Sequence, residues 1–510
     1  MRQYSDVPVS CNVTSYFVDR NLELGRGNRT ALIHPGGTTT YAELAALTNR
    51  IGNVLLDSGV RPGRRVVLAL ADGVEFVATW YAAQKIGAVT AEVYTFLPVK
   101  DFAYYLAYTE ADVVIVDAET LPRMRAAAQA GGRDVRLLVV GDASFDALVA
   151  AASPSLEAAA TTRDDVAIWK FTTGSTGAPK ACVHPTRTPL LSFHCYARGV
   201  LDIDADDVVL AVPKLFFGYA RDLAALYPFG VGGAGIVFPE RSTPELLFEL
   251  IERHRPTILV NVPTMMNAMI TYAEEHSKPD LSSLRLCTSA GEALPAALCE
   301  RWDAMFGVPV LDGIGSSEAY HIYVSNRLTD IRPGSLGTPV PGYTARVTDA
   351  DRNPLPDNEI GHLEITGPTA ALGYHGEPEK SAQTYFGDTV RSADLFSRDA
   401  DGAFHYRGRA DDLLKVGGVW VAPSEIEHCL IGHPDVLECA VIGYQAEGLT
   451  LPRAYVVLRA GADASPDALA QWVKTRLSPH KYPRDVRLVA ELPKTGSGKL
   501  DRRALREGTA

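Results

Sequence analysis

Cysteine is sparse in this chain: seven residues in 510, scattered and odd in number, with no Cys-x-x-Cys pair. Neither a disulfide framework nor a zinc site is suggested. Long apolar runs are missing as well. No uninterrupted stretch reaches ~18 apolar residues, so no membrane span is expected. The first 25 residues hold no apolar core of the kind a secretory signal needs. Positive charge is in deficit: 49 Lys and Arg against 61 Asp and Glu leave a net charge of −12. That disfavours nucleic acid or an anionic membrane as the main partner, but leaves room for a local basic site. A reducing cytoplasm is the expected location. Internal repeats and low-complexity linkers are absent too.

What is present reads as a globular protein of more than one domain. Hydrophobic residues make up 46% and charged residues 22%, ordinary values for a folded chain too long for a single core. Residues 41–58 space their apolar side chains as a helix does. Gly59 and Pro62-Gly63 stop it, and Val66-Val67-Leu68-Ala69-Leu70 follows as a short run fit for a buried parallel strand. A helix candidate lies at 74–86, with strand candidates at 113–116 and 137–140. The alternation resumes at 208–212 (strand), 245–255 (helix), 257–260 (strand), 265–276 (helix) and 284–289 (strand). Strands alternating with helices predict layered α/β sheets. From about 335 short β-type segments alternate with Gly, Pro and Asp turns, which reads as a small β module. The remainder regains helix and strand signals as a separate α+β lobe.

The chemistry starts at Ile168-Trp169-Lys170-Phe171-Thr172-Thr173-Gly174-Ser175-Thr176-Gly177-Ala178-Pro179-Lys180. A strand end runs into a loop of hydroxyls and glycines closed by a lysine. The glycines let the backbone curl around a ligand. Its N–H groups form an anion-binding concavity. Ala178-Pro179 before the lysine, and no Ser or Thr after it, exclude a Walker A loop. Alone, such a stretch is as readily a flexible surface turn. Four further segments follow in order: Ala290-Gly291-Glu292; Asp312-Gly313-Ile314-Gly315-Ser316-Ser317-Glu318; Arg391-Ser392-Ala393-Asp394 with Tyr406 to Asp412 and Lys415 to Glu427; and Pro493-Lys494-Thr495-Gly496-Ser497-Gly498-Lys499.

In this order the segments resemble the adenylate-forming superfamily of acyl-CoA synthetases, peptide-synthetase adenylation domains and luciferases. The resemblance covers nearly the whole chain. Pro213-Lys214-Leu215-Phe216-Phe217-Gly218-Tyr219-Ala220 and His321 to Arg327 place it nearest the benzoate-CoA ligase branch. Three departures stand out. Ala181 follows Lys180 where the family has Gly, Ser392-Ala393 precede Asp394 where it has Thr-Gly, and Arg221-Asp222 stand where small apolar residues are expected.

The resemblance implies a large N-terminal α/β domain over 1–409, including a β module at about 335–409, and a small mobile α+β domain over 410–510. It implies ATP, Mg²⁺ and CoA as reaction partners. The nucleotide would be held by Thr172, Thr173, Gly174, Ser175, Thr176, Gly177 and Lys180, by Ala290, Gly291 and Glu292, by Asp312, Gly313, Ile314, Gly315 and Ser317, and by Asp394, Arg409 and Lys499. Backbone atoms are expected to matter more than the Glu292 side chain, and two turn glycines at 313 and 315 would face the adenine. Thr172, Glu318, Arg409 and Lys499 would serve catalysis, with Glu318 the metal ligand. Asp411 would be the hinge, and Gly417 and Gly418 would line a thiol path. Phe217, Gly218, Tyr219, Arg221, Asp222, Gly315 and His321 would form the acid pocket. Phe216 is the aromatic best suited to a core position instead. If Arg221-Asp222 faces the pocket, the acid carries an amino or hydroxyl group; if not, the two form a surface ion pair.

The expected activity is ATP-dependent adenylation of a small aromatic acid, of the benzoic, amino-benzoic or hydroxy-benzoic type, then thioester formation with CoA. The alternatives are loading onto a carrier-protein pantetheine, adenylation of another small oxyanion such as nitrite, and nucleotide binding without catalysis. A homodimer is an open alternative to a monomer.

Overall fold

The computed structural model describes residues 3–172, 178–276, 278–409, 414–416, 419–446, 449–494 and 500–508, with Arg409, Lys415, Val419, Trp420 and Leu449 described by their backbone alone. Among the described residues the strands form five sheets. The nine-stranded sheet is built around six parallel strands in the order Val310–Gly315, Leu286–Ser289, Ile258–Asn261, Val208–Ala211, Ala234–Ile236, Thr30–His34. Antiparallel strands close both edges. The six-stranded sheet has the parallel order Arg136–Val139, Val113–Val116, Arg65–Ala69, Val89–Glu92, Val166–Thr172, and ends on the antiparallel Lys180–Pro185.

The apolar runs explain these strands. Val113–Val116 and Ile258–Asn261 are buried at every position, as strands covered by helices on both faces must be. The helices are set by their ends. Thr40 caps Tyr41–Asp57: its hydroxyl accepts from the Glu43 backbone N–H, and the Glu43 carboxylate accepts from the Thr40 N–H. Each expected strand and helix named above is found within a few residues of its place. None of the described helices is long and apolar enough to cross a membrane, and no disulfide joins the cysteines.

A five-stranded antiparallel sheet over 344–409 forms the β module. The α+β lobe follows with its own core, in which Val421, Ile426, Leu430, Val441, Val456 and Leu469 are buried together. Arg502 grips Glu427 with both guanidinium arms, at 2.6 and 2.8 Å, and so fixes the last helix, Arg502–Glu507, on the lobe. Lys494 and Leu500 form an antiparallel bridge. Where the lobe meets the β module, Arg407 donates to Ser397 Oγ at 2.9 Å and reaches Glu425 at 3.4 Å, and Lys481 pairs with the other Glu425 oxygen at 2.6 Å.

Candidate active site

Ligands of parallel α/β sheets sit beyond the carboxyl ends of the strands. In the nine-stranded sheet three candidate segments lie there: Pro213–Phe217 after Val208–Ala211, Ala290–Glu292 after Leu286–Ser289, and the approach to Glu318 after Val310–Gly315. The fourth, the phosphate loop, belongs to the other sheet. It joins Val166–Thr172 to Lys180–Pro185 as a hairpin, with Thr172 and Lys180 as cross-strand partners. Three hydrogen bonds bring the two sheets together. Ser317 Oγ donates to the Phe171 carbonyl at 3.3 Å, His184 Nε2 to the Ser317 carbonyl at 2.7 Å, and Lys170 Nζ to the Tyr320 carbonyl at 2.7 Å. Burial lowers the His184 pKa to about 3, so the ring is neutral and its Nε2 proton is committed to this bond.

On the phosphate side, Lys180 and Glu318 are joined through Tyr374. The Tyr374 hydroxyl donates to Glu318 Oε1 at 2.8 Å, and the Lys180 ammonium lies 3.6 Å from the centre of the same ring. Burial lowers the Lys180 pKa, opposed by the Glu318 carboxylate. Asp394 and Arg409 are backbone register partners on neighbouring antiparallel strands. The Tyr323 phenol, its pKa raised first by burial, also feels both Asp394 and Glu318, which puts these two carboxylates in one neighbourhood.

One expectation on this side is corrected. Gly313 and Gly315 are not turn glycines: both lie inside the strand Val310–Gly315, opposite Ser325 and Ile322. A Cβ at 313 would come within 2.8 Å of the Val324 carbonyl oxygen, and one at 315 within 2.5 Å of that of His321. The glycines admit a neighbouring backbone rather than a bend. Gly291, at φ +87°, is the position that needs glycine for its backbone. The Glu292 carboxylate accepts from the Thr264 N–H at 3.0 Å and hydroxyl at 2.7 Å. It thus satisfies the first turn of Pro263–Glu275.

The acid side holds a chain of buried charge. Arg221 and Asp222, on the helix Gly218–Ala225, are 2% and 0% exposed; the surface-pair alternative is excluded. Asp222 accepts from Arg221 Nη2 at 2.7 Å and from Lys170 Nζ at 2.8 Å. Arg221 Nη1 lies 2.7 Å from Glu92 Oε1, an oxygen that also takes the Trp80 indole N–H. Burial acts to raise the Asp222 pKa, but Arg221 and Lys170 outweigh it and hold it at about 2. Burial lowers that of Lys170 to about 8 against the pull of Asp222, so both carry charge at neutral pH. His321 Nε2 is 3.4 Å from the Tyr219 carbonyl, their rings are 5.7 Å apart, and the Tyr219 hydroxyl is 2.6 Å from Thr288 Oγ1. Phe217 packs on Tyr94 at 5.0 Å. Phe216 is not in the core: it sits part-exposed against Tyr94 and Phe96.

Thr173, Gly174, Ser175, Thr176, Gly177, Asp411, Gly417, Gly418 and Lys499 lie outside the described residues. Lys170, Glu92 and Tyr374 were missed in the sequence. A charge inside the apolar run Ile168–Phe171 was the available signal for Lys170.

A family model described as AMP-binding enzyme matches residues 20–375, and one described as AMP-binding enzyme C-terminal domain matches 425–499. The chain belongs to the AMP-binding enzyme family. Among its relatives, a benzoate–CoA ligase of Thauera aromatica is 40% identical over 98% of this chain and 96% of that one. The anthranilate CoA ligase AuaEII, solved with anthranoyl-AMP, superposes with a TM-score of 0.94 at 36% identity, covering 99% of this AMP-binding enzyme and 98% of the other. A benzoate CoA ligase from Burkholderia xenovorans LB400 gives a TM-score of 0.91 at 37% identity, over 97% and 100%.

Proposed function

We propose that this AMP-binding enzyme joins an aromatic carboxylic acid to CoA in an ATP-driven, AMP-forming reaction. One observation supports the reading most. Gly218–Tyr219 and Tyr320–His321 close around Lys170, on the same strand that opens the phosphate loop at Thr172. An aryl acid and a nucleotide bound to these segments would meet at one strand end.

Hydroxide is a hopeless leaving group from a carboxylic acid at neutral pH, and AMP is a good one. The acid carboxylate attacks the α-phosphorus of ATP in line, pyrophosphate leaves, and the thiolate of CoA then displaces AMP from the acyl carbon. Thr172, the loop hydroxyls and Lys180 donate to the departing phosphates. Arg409 and Asp394 hold the ribose side, and Lys499 offsets charge at the reacting centre. The α+β lobe then turns about Asp411 to withdraw Lys499 and admit the thiol past Gly417 and Gly418.

Mg²⁺ fits Glu318. The carboxylate is half-buried, its Oε1 is fixed by Tyr374, and it offers hard oxygens of the kind the ion takes when phosphates and waters complete its shell. When bound there, the ion would neutralise charge on the pyrophosphate.

The test is a panel of aryl and alkyl acids with ATP, Mg²⁺ and hydroxylamine, read as hydroxamate, then with CoA, read by product mass. Aryl hydroxamates and an aryl-CoA are expected. AMP release with no CoA thioester would overturn the acceptor, and activation of alkyl acids alone would overturn the acid.

A further inference from the structure

Adenylation leaves the buried charges beside the acid segments without a task. Lys170 is the member that reaches those segments. Alternate residues of a strand share a face, so Lys170 and Thr172 project on the same side, about 7 Å apart along the strand. The Lys170 ammonium is bound by Asp222 Oδ2 at 2.8 Å and the Tyr320 carbonyl at 2.7 Å, with the Tyr320 ring centre 3.5 Å away. An ammonium has three N–H donors, and the third has no hydrogen-bond acceptor among the described residues. On the remaining side stands Gly218: a Cβ there would fall 2.5 Å from Nζ and 2.6 Å from Cε. The ammonium therefore occupies the space of the missing side chain, between the two segments that carry Tyr219 and His321. Behind it, Arg221 and Glu92 balance the charge and hold Asp222 in place.

We propose that Lys170 is a specificity-determining residue of the acid site, and that it selects aryl acids carrying a ring hydroxyl. The inference rests on the aryl-acid ligase reading above. An ammonium can only donate. A phenolic oxygen accepts from it. An aryl amine, its lone pair drawn into the ring, presents donors to a donor and is disfavoured. Plain benzoate leaves the third N–H unanswered. Of the amino- and hydroxy-benzoic acids that the sequence leaves open, the geometry picks the hydroxy acids.

The experiment measures kcat/KM for pyrophosphate release with benzoate and its three hydroxy and three amino derivatives. It compares the wild type, Lys170→Arg, and the charge-balanced double variant Lys170→Met/Asp222→Asn. The wild type is expected to favour its best hydroxybenzoate over both benzoate and the matching aminobenzoate by about tenfold or more, the scale of a hydrogen bond to a charged group. The ratio should collapse to about threefold or less in the double variant, through KM for the hydroxy acid, and persist in Lys170→Arg, which keeps a donor. Should the double variant not fold, Gly218→Ala, which pushes the ammonium aside, is expected to erode the same ratio. A wild type that prefers aminobenzoates, or a ratio unmoved in every folded variant, overturns the assignment and leaves the ligase reading standing. If no aryl acid releases pyrophosphate, both fall together.

Discussion

Lys170 and Lys180 stand on the two strands of one hairpin, near its loop, and face opposite electrostatic problems. Lys170 is 6% exposed and lies in a chain of alternating charges, Glu92, Arg221, Asp222, Lys170, all of them buried. Lys180 is only half-buried, and its counter-charge Glu318 is reached through the ring and hydroxyl of Tyr374 rather than directly. The first arrangement spends its charges on one another, and removing one partner strands the rest. The second leaves an ammonium and a carboxylate close together but unneutralised, which suits a ligand bringing both phosphate oxygens and a cation. Stability should therefore depend chiefly on the first cluster, and magnesium-dependent turnover on the second.

Asp222→Ala tests the first half of that contrast and carries the largest expected effect. It leaves Lys170 and Arg221 buried with one carboxylate between them, and should destabilise the N-terminal domain by about 3–5 kcal/mol, read by urea denaturation. The sign with pH follows from the Asp222 carboxyl, which burial pushes up but Arg221 and Lys170 hold at about 2, below its ordinary 3.8. A depressed acid pKa stabilises the fold above the unfolded value, and that contribution is lost as pH falls from about 4 toward 2. The variant should show a shallower loss over that window. A change under about 1 kcal/mol would mean that water reaches the pair, as at exposed bridges.

Lys499→Ala tests the other half. If the phosphate side is built for turnover, losing the Lys499 cation should lower adenylation by about 10²–10³, while thioester formation from supplied aryl-AMP stays within about threefold, because the proposed lobe rotation would already have withdrawn Lys499. Urea denaturation should be unmoved. Equal loss in both half-reactions would remove the two-conformation account.

The layered sheets were legible because buried parallel strands announce themselves as short apolar runs bounded by breakers, as at Val113–Val116 and Ile258–Asn261. The candidate phosphate loop stands out in the sequence because its glycines, hydroxyls and lysine are contiguous. Pairings across the chain were not legible. Lys170, Glu92, Asp222 and Tyr320 come from four segments, and no local pattern says that a lysine in an apolar strand will meet an aspartate in a helix. Gly313 and Gly315 misled for a related reason. Glycine pairs read as turns, yet here they clear space for the backbone of Ile322–Ser325, a neighbour visible only after folding. Tyr374 lies outside the motifs, and only the tertiary structure hangs Glu318 from it.

Glu318→Gln keeps the shape of the phosphate side but removes its negative charge. We expect about tenfold or more loss of kcat/KM at limiting Mg²⁺, partly recovered at high Mg²⁺, because a neutral amide is a weaker ligand for a hard cation. The denaturation midpoint should hardly move, in contrast to Asp222→Ala. An unchanged magnesium titration would place the ion elsewhere.

Tyr374→Phe is the smallest and sharpest of these changes. It removes one hydroxyl, the 2.8 Å donor to Glu318 Oε1, and keeps the ring under the Lys180 ammonium. If Tyr374 only fills space, nothing beyond a small loss of stability follows. If it aims Glu318, the carboxylate gains rotamers and the ion is held less well. A lost hydrogen bond to a charged group is worth about 1.5–3 kcal/mol when it is fully felt. In a half-buried site, where water can replace the hydroxyl, about 1 kcal/mol is the more fitting figure, or roughly a fivefold rise in half-saturating Mg²⁺. The measurement is Mn²⁺ binding by electron paramagnetic resonance with a non-hydrolysable ATP analogue, beside the magnesium dependence of pyrophosphate release. Both should weaken together, with kcat at saturating Mg²⁺ within about twofold of wild type. Weaker turnover with unaltered Mn²⁺ binding would show that the hydroxyl acts on Lys180 or the loop and not on the metal ligand. The two clusters would then differ less than their burial implies.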